Sequence, residues 1–106
     1  MSVQIEHQDK VMTAYLDGEI DHHSARPIRE QIDDEAQQTK PDTLLLDFGR
    51  VSFMDSSGIG LVMGRFRLMS ELGGTLKVVN TPLHIAKVMR LAGMERLNVL
   101  EKENGR

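Results

Sequence analysis

An α/β domain with a mixed β-sheet is predicted by three features of the sequence. Two apolar–polar alternating runs stand at the amino terminus, and an almost unbroken apolar run stands at mid-chain. Between the later strand-like runs, apolar residues recur every three or four positions. The predicted order is β-β-α-β-α-β-α-β, a leading hairpin followed by strands alternating with helices packed on the sheet and right-handed crossovers. At 106 residues, 40% of them apolar, the chain is expected to be a single domain over 1–106 with one modest core.

Val3-Gln4-Ile5-Glu6-His7 alternates as a half-buried strand does, and Gln8-Asp9-Lys10 reads as a turn. Val11 to Leu16 places Met12, Ala14 and Leu16 on one face, with Asp17-Gly18 expected to close the hairpin. A polar stretch, Glu19 to His23, leads into Ser24, the predicted N-cap, with Pro27 in the first helical turn. Ala25, Ile28, Ile32 and Ala36 form the apolar stripe of that helix, and Asp33, Asp34 and Glu35 are expected mostly on its wet side. Lys40-Pro41-Asp42 ends it.

The run Thr43 to Phe48 reads as a central strand covered on both faces, and Gly49 to Phe53 as a short connection. From Ile59 onward Val62, Met63, Phe66, Met69 and Leu72 recur at helical spacing until Gly73-Gly74. Thr75 to Val79 is another strand. Thr81 is the predicted N-cap of a third helix, with Pro82 at its first position, Ile85, Val88, Met89 and Ala92 as its stripe, and Gly93 as its stop. A final strand over Leu97 to Leu100 precedes a polar tail.

Composition narrows the function. With no Cys there is no disulfide framework, thiol catalysis or Cys-based zinc site. No window approaches the roughly 18 apolar residues of a spanning helix, and the amino terminus lacks a signal-peptide pattern. A net charge of −3 and 4% aromatics argue against nucleic-acid binding. The first fifty residues carry a balance of −6 and the rest +3, a hint of an acidic face. A small, soluble, cytoplasmic protein is expected.

The most unusual stretch is Ser52-Phe53-Met54-Asp55-Ser56-Ser57-Gly58-Ile59-Gly60, which sets an acid and two hydroxyls between a strand and a helix. One capping oxygen would satisfy the free N–H groups there. Three candidates in a row, followed by a glycine that bares the backbone, exceed that need. A serine hydroxyl here would be exposed, and a phosphate on it would face a favourable helix terminus.

Phe53 to Gly60 resembles the phosphorylation loop of bacterial anti-sigma-factor antagonists, which are STAS-domain proteins. Gly18-Glu19-Ile20-Asp21-His22-His23-Ser24-Ala25, Gly64-Arg65 and the Gly73-Gly74 turn resemble theirs too, in order along nearly the whole chain. The Asp-His-His form is most similar to the sporulation, sigma F branch. The resemblance implies a STAS fold and a regulatory binding protein, not an enzyme, that needs no cofactor. It implies Ser56 as phosphoacceptor, Asp55 shaping the loop and meeting the partner, Ser57 and Gly58 opening the helix, and Asp21 facing a basic partner residue. The implied partners are an anti-sigma factor that is also a serine kinase, which phosphorylation of Ser56 releases, and a serine phosphatase that restores binding. A monomer is expected, because no separate apolar patch is legible.

Other readings have less support. Gly58-x-Gly60-x-x-x-Gly64 lacks the dinucleotide spacing, and close helix packing is the simpler role for Gly60 and Gly64. His7, His22, His23 and His84 form no metal pair, since His22 and His23 on an extended segment would point apart. No Ser, His and acid set is spaced to activate Ser56 as a catalyst. Asp47, ending the apolar run, could be the phosphoacceptor of a receiver-like domain, but the first strand ends in His7-Gln8-Asp9, which supplies only one of the two acids needed to hold magnesium. A STAS scaffold module without sigma control is a further alternative. Met54, Met63, Met69, Met89 and Met94 are expected mostly in the core, and Arg65 is either solvated or a second contact beside Ser56.

Overall fold

The computed structural model describes residues 2–100. Strands β1 (Ser2–Gln8), β2 (Val11–Ile20), β3 (Thr43–Met54) and β4 (Thr75–Val79) form one sheet in that order. β1 and β2 are antiparallel, while β3 runs parallel to both β2 and β4. Helices α1 (His22–Thr39), α2 (Ser56–Glu71) and α3 (Leu83–Leu91) follow β2, β3 and β4 in turn, and a short 3-10 helix spans Met94–Leu97. The mixed α/β architecture is the one the sequence predicts.

Burial alternates along the strands with period two. Met12, Ala14, Leu16, Leu44, Leu46, Phe48, Leu76 and Val78 are buried on one face, against Ile28, Ile32 and Ala36 of α1, Leu61, Val62 and Met69 of α2, and Ile85 and Met89 of α3. Tyr15, Leu45, Asp47 and Val79 alternate with them and stay exposed or half-buried. The mid-chain run is therefore covered on one face, not on both, and Leu45 is the apolar residue that made it look continuous.

Several boundaries differ from expectation. Asp17-Gly18 does not close the hairpin: β2 runs on to Ile20 through an irregularity at which Gly18 takes φ 107°, a conformation suited to glycine. Gly49 to Phe53 is no connection, because the extended β2 keeps pairing with it through Asp17–Arg50, Gly18–Val51 and Glu19–Phe53. The final strand reduces to one bridge between Val78 and Leu100, with Val78 N donating to Val99 O at 2.7 Å. The polar tail lies outside the described residues.

The helices shift in register too. α3 starts at Leu83 with Pro82 as its N-cap and no side-chain cap bond, so Thr81 does not cap it. Ala86 is buried where Val88 was expected, and Val88 is exposed. In α2 the buried set is Gly58, Leu61, Val62, Arg65 and Met69, while Met63 is exposed.

That rotation places Arg65 inside. It is 5% exposed, its Nε lies 2.8 Å from Asp33 Oδ1 on α1, and its Nη1 donates to Leu61 O at 3.3 Å. The Nε–H is not aimed along the Asp33 contact, so the pair is held by charge more than by a directed hydrogen bond. Burial pushes the Asp33 carboxyl up and the Arg65 guanidinium down, each partner opposing the other's shift. Asp33 thus faces α2 rather than water, and Arg65 is neither solvated nor a surface contact.

Removing one partner leaves an uncompensated charge. Arg65→Ala is expected to cost about 3 kcal/mol in urea unfolding. Replacing both as Asp33→Leu with Arg65→Met is expected to restore most of that loss.

Candidate functional site

The site grows from the ends of two neighbouring parallel strands. β2 ends at Ile20 and β3 at Met54, and these two residues are register partners. The next residue in each chain segment is an aspartate, and each aspartate caps a helix. Asp55 N donates to Ile20 O at 3.1 Å, which carries the ladder one step past the strands and sets the two helix starts side by side.

At the first of these, Asp21 Oδ1 accepts from His23 N at 3.0 Å and from Ser24 N at 2.9 Å. Ser24 Oγ accepts from Asp21 N at 2.9 Å, closing a reciprocal capping box. The cap is therefore Asp21 and not Ser24, which stands inside the helix, and Pro27 lies beyond the first turn. The backbone N–H of Ser24 leads the groups that hold the Asp21 carboxyl below its ordinary pKa, against a smaller opposing effect of burial.

At the second, Asp55 Oδ1 accepts from Ser57 N at 2.8 Å, so the acid rather than either serine caps α2. Ser56 is the first helical residue and is exposed. Its hydroxyl makes no hydrogen bond among the described residues. Ser57 is half-buried and Gly58 buried. A Cβ on Gly58 would lie 3.0 Å from Met54 Cβ, and nearer still to Met54 Sδ, so glycine lets α2 sit close on the strand it has just left without displacing Met54. Gly60 and Gly64, expected as packing contacts, have nothing within 4 Å of a Cβ built on them.

Asp21, Asp55, Ser56, Ser57 and Gly58, predicted from two separate motifs, thus share one end of the sheet. His22 and His23 are not extended. They form the exposed first turn of α1, ring centroids 5.8 Å apart and edge to face. His84 Nε2 lies 3.1 Å from Ser52 O and ties the start of α3 to this end. His7 is elsewhere, 2.7 Å from Glu35. Among the described residues no group of three His, Asp or Glu could hold a metal.

Asp47, the alternative phosphoacceptor, stands within β3 rather than at its end. Its Oδ1 accepts from Gly49 N and its Oδ2 from Asn80 Nδ2, each at 2.8 Å. Phe53, part of the stretch singled out in the sequence, is half-exposed just ahead of Met54 and Asp55.

The STAS domain family model matches residues 2–104. The chain belongs to the STAS domain family. An anti-sigma F factor antagonist of Paenibacillus polymyxa is 32% identical over 99 residues, covering 92% of this chain and 83% of the relative. Another, of Lysinibacillus sphaericus, is 37% identical over 79 residues, 74% of this chain and 68% of the relative. Among solved structures, the anti-sigma factor antagonist SpoIIAA in its unphosphorylated form superposes with a TM-score of 0.83 at 31% identity, covering 98% of this chain and 90% of its own.

Two measurements test this geometry. Gly58→Ala is expected to cost about 1–3 kcal/mol in chemical denaturation through overpacking at Met54. Gly64→Ala, in open space, is expected to raise stability by up to about 1 kcal/mol through helix propensity. Because the folded pKa of Asp21 is depressed, its contribution is complete above the ordinary carboxylate value of about 3.9 and is lost as pH falls through that value to the folded pKa. Asp21→Asn retains a capping oxygen and is expected to flatten this acid limb of the stability profile while leaving the cap itself in place at neutral pH.

Proposed function

We propose that this chain is an anti-sigma factor antagonist whose binding is controlled at Ser56. The observation that carries the reading is the exposed, unbonded Ser56 hydroxyl at the first position of α2, flanked by the Asp21 and Asp55 caps. It is supported by the named antagonists among the relatives, and by SpoIIAA having a phosphorylated form that also superposes on this chain with a TM-score of 0.76.

In this reading the unphosphorylated protein, a cytoplasmic monomer, binds an anti-sigma factor that is also a serine kinase, and the sigma factor is released to serve sporulation. Asp21 and Asp55 meet basic residues of the partner, and Ser57 and Gly58 form the adjoining surface. The kinase brings its own ATP and magnesium. The Ser56 oxygen attacks the γ-phosphorus, ADP leaves, and the hydroxyl proton passes to a base of the kinase. The chain is the substrate and needs no cofactor.

The phosphoserine adds about −1.5 to −2 charges and three strong acceptors at pH 7. α2 tolerates it, because Ser56 is the exposed first residue of the helix, where the dipole favours an anion and the first turn itself carries no acid. The partner does not, because a surface fitted to a hydroxyl beside two carboxylates now meets added bulk and like charge. A serine phosphatase reverses the modification.

Incubation with the cognate anti-sigma kinase and ATP, followed by peptide mapping, tests the assignment. Phosphate on Ser56 is expected; modification of Ser57 with Ser56 untouched would overturn it. Ser56→Ala is expected to bind and never to be released by ATP. Ser56→Asp is expected to bind at least about tenfold more weakly, a loss of about 1.4 kcal/mol or more.

A further inference from the structure

Between α1 and α2 lies an open groove of about 390 Å³, lined by His22, Arg26 and Arg29 on one side and Ser57, Gly60 and Leu61 on the other. It adjoins both capped helix starts, since His22 follows Asp21 and Ser57 follows Ser56. Gly60 opens its floor, having no side chain and nothing within 4 Å of where one would begin.

The charge of this groove is unusual for the chain. The protein as a whole has 16 acids against 13 bases. Yet from His22 to Arg29 the helix holds two His and two Arg and no acid, and its acids, Glu30, Asp33, Asp34 and Glu35, all come later. A helix favours the opposite order, with acids early and bases late. The Arg26–Glu30 pair, 3.3 Å apart and exposed, also has its base on the N-terminal side, the weaker orientation. Arg29 makes no direct ion pair among the described residues; it acts on Asp33 and Arg65 through space, and its charge opposes that of Arg65. Each arginine stands four residues ahead of an acid, Arg26 before Glu30 and Arg29 before Asp33, in the weaker order for such pairs. The early turns of α1 thus keep a basic surface against local preference, and departures of this kind collect at functional surfaces.

We infer that the α1–α2 groove receives a carboxylate-bearing segment of the anti-sigma factor partner, with Arg26 and Arg29 as its receptors. The inference rests on the function proposed above and adds a second half to its interface. The Asp21 and Asp55 end takes a basic residue, and the adjoining groove takes an acidic one. Such alternation fixes the docking register and steers association. It also adds to the effect of phosphorylation, because a dianion on Ser56 stands next to the place where the partner's carboxylates must sit.

The test is binding of the cognate anti-sigma factor to the unphosphorylated protein at low and high ionic strength. Folding of each variant is checked by thermal melting. Arg26→Gln with Arg29→Gln is expected to weaken binding tenfold or more and to flatten its salt dependence, while Arg26→Lys with Arg29→Lys retains most of the affinity. If the Gln pair disturbs folding, Arg26→Glu alone on the exposed rim is expected to give at least a fivefold loss. Wild-type affinity and salt dependence in the folded Gln pair, or in folded Arg26→Glu, would overturn the groove assignment. With Ser56→Asp still defective, the function reading would survive that result. Absence of binding by the wild-type protein itself would overturn both.

Discussion

One backbone arrangement organises this molecule: β2 and β3 are parallel, adjacent and end at the same level. Ile20 pairs with Met54, and the Asp55 N–H extends the ladder to the Ile20 carbonyl. Both strands then hand over to a helix through an aspartate cap. Parallel strands deliver their carboxyl ends to one edge of a sheet, so residues thirty-odd positions apart in sequence become neighbours without a long loop. Ser56 is thereby held on the first turn of a helix.

What keeps the two helices in place is chemically different near their starts and further along. Near the strands it is close approach, with buried Gly58 seating α2 on Met54. A turn or two along it is the Arg65–Asp33 pair, a charge contact sunk between α1 and α2. The first is intolerant of small displacements, and the second is costly to break because it would leave a charge unpaired between the helices. A site framed this way changes its surface chemistry more readily than its shape. Under the proposed function, a phosphate on Ser56 would then act by obstructing the partner and not by refolding the domain.

Much of this was legible in the sequence because the signals are local. Alternation gave β1 and the first part of β2, the Ile28, Ile32 and Ala36 spacing gave α1, and the capping-rich stretch before Gly58 gave the site. The misses came where tertiary pairing decides. Gly49-Arg50 looks like a turn, yet β2 beyond Gly18 offers that segment a partner ladder, and backbone hydrogen bonding does not require apolar side chains. Ser24 looks like a cap, but the reciprocal box makes Asp21 and Ser24 interchangeable candidates until their backbone angles are known. Arg65 looks solvated because nothing in the sequence announces that Asp33, on another helix, waits opposite it. The alternation in the mid-chain run was hidden by Leu45, an apolar residue on the half-open face.

Under the proposed function the Ser56 hydroxyl acts from a preformed surface. Comparison of amide spectra of the unmodified and Ser56-phosphorylated protein addresses this directly. Shifts confined to the neighbourhood of Asp55 to Gly58 and the adjoining start of α1, with β1 and β4 unchanged, are the predicted result. Widespread shifts reaching the pairs that join β1 to β2, such as Ile5 with Ala14, would contradict it and show that the modification works by rearranging the domain.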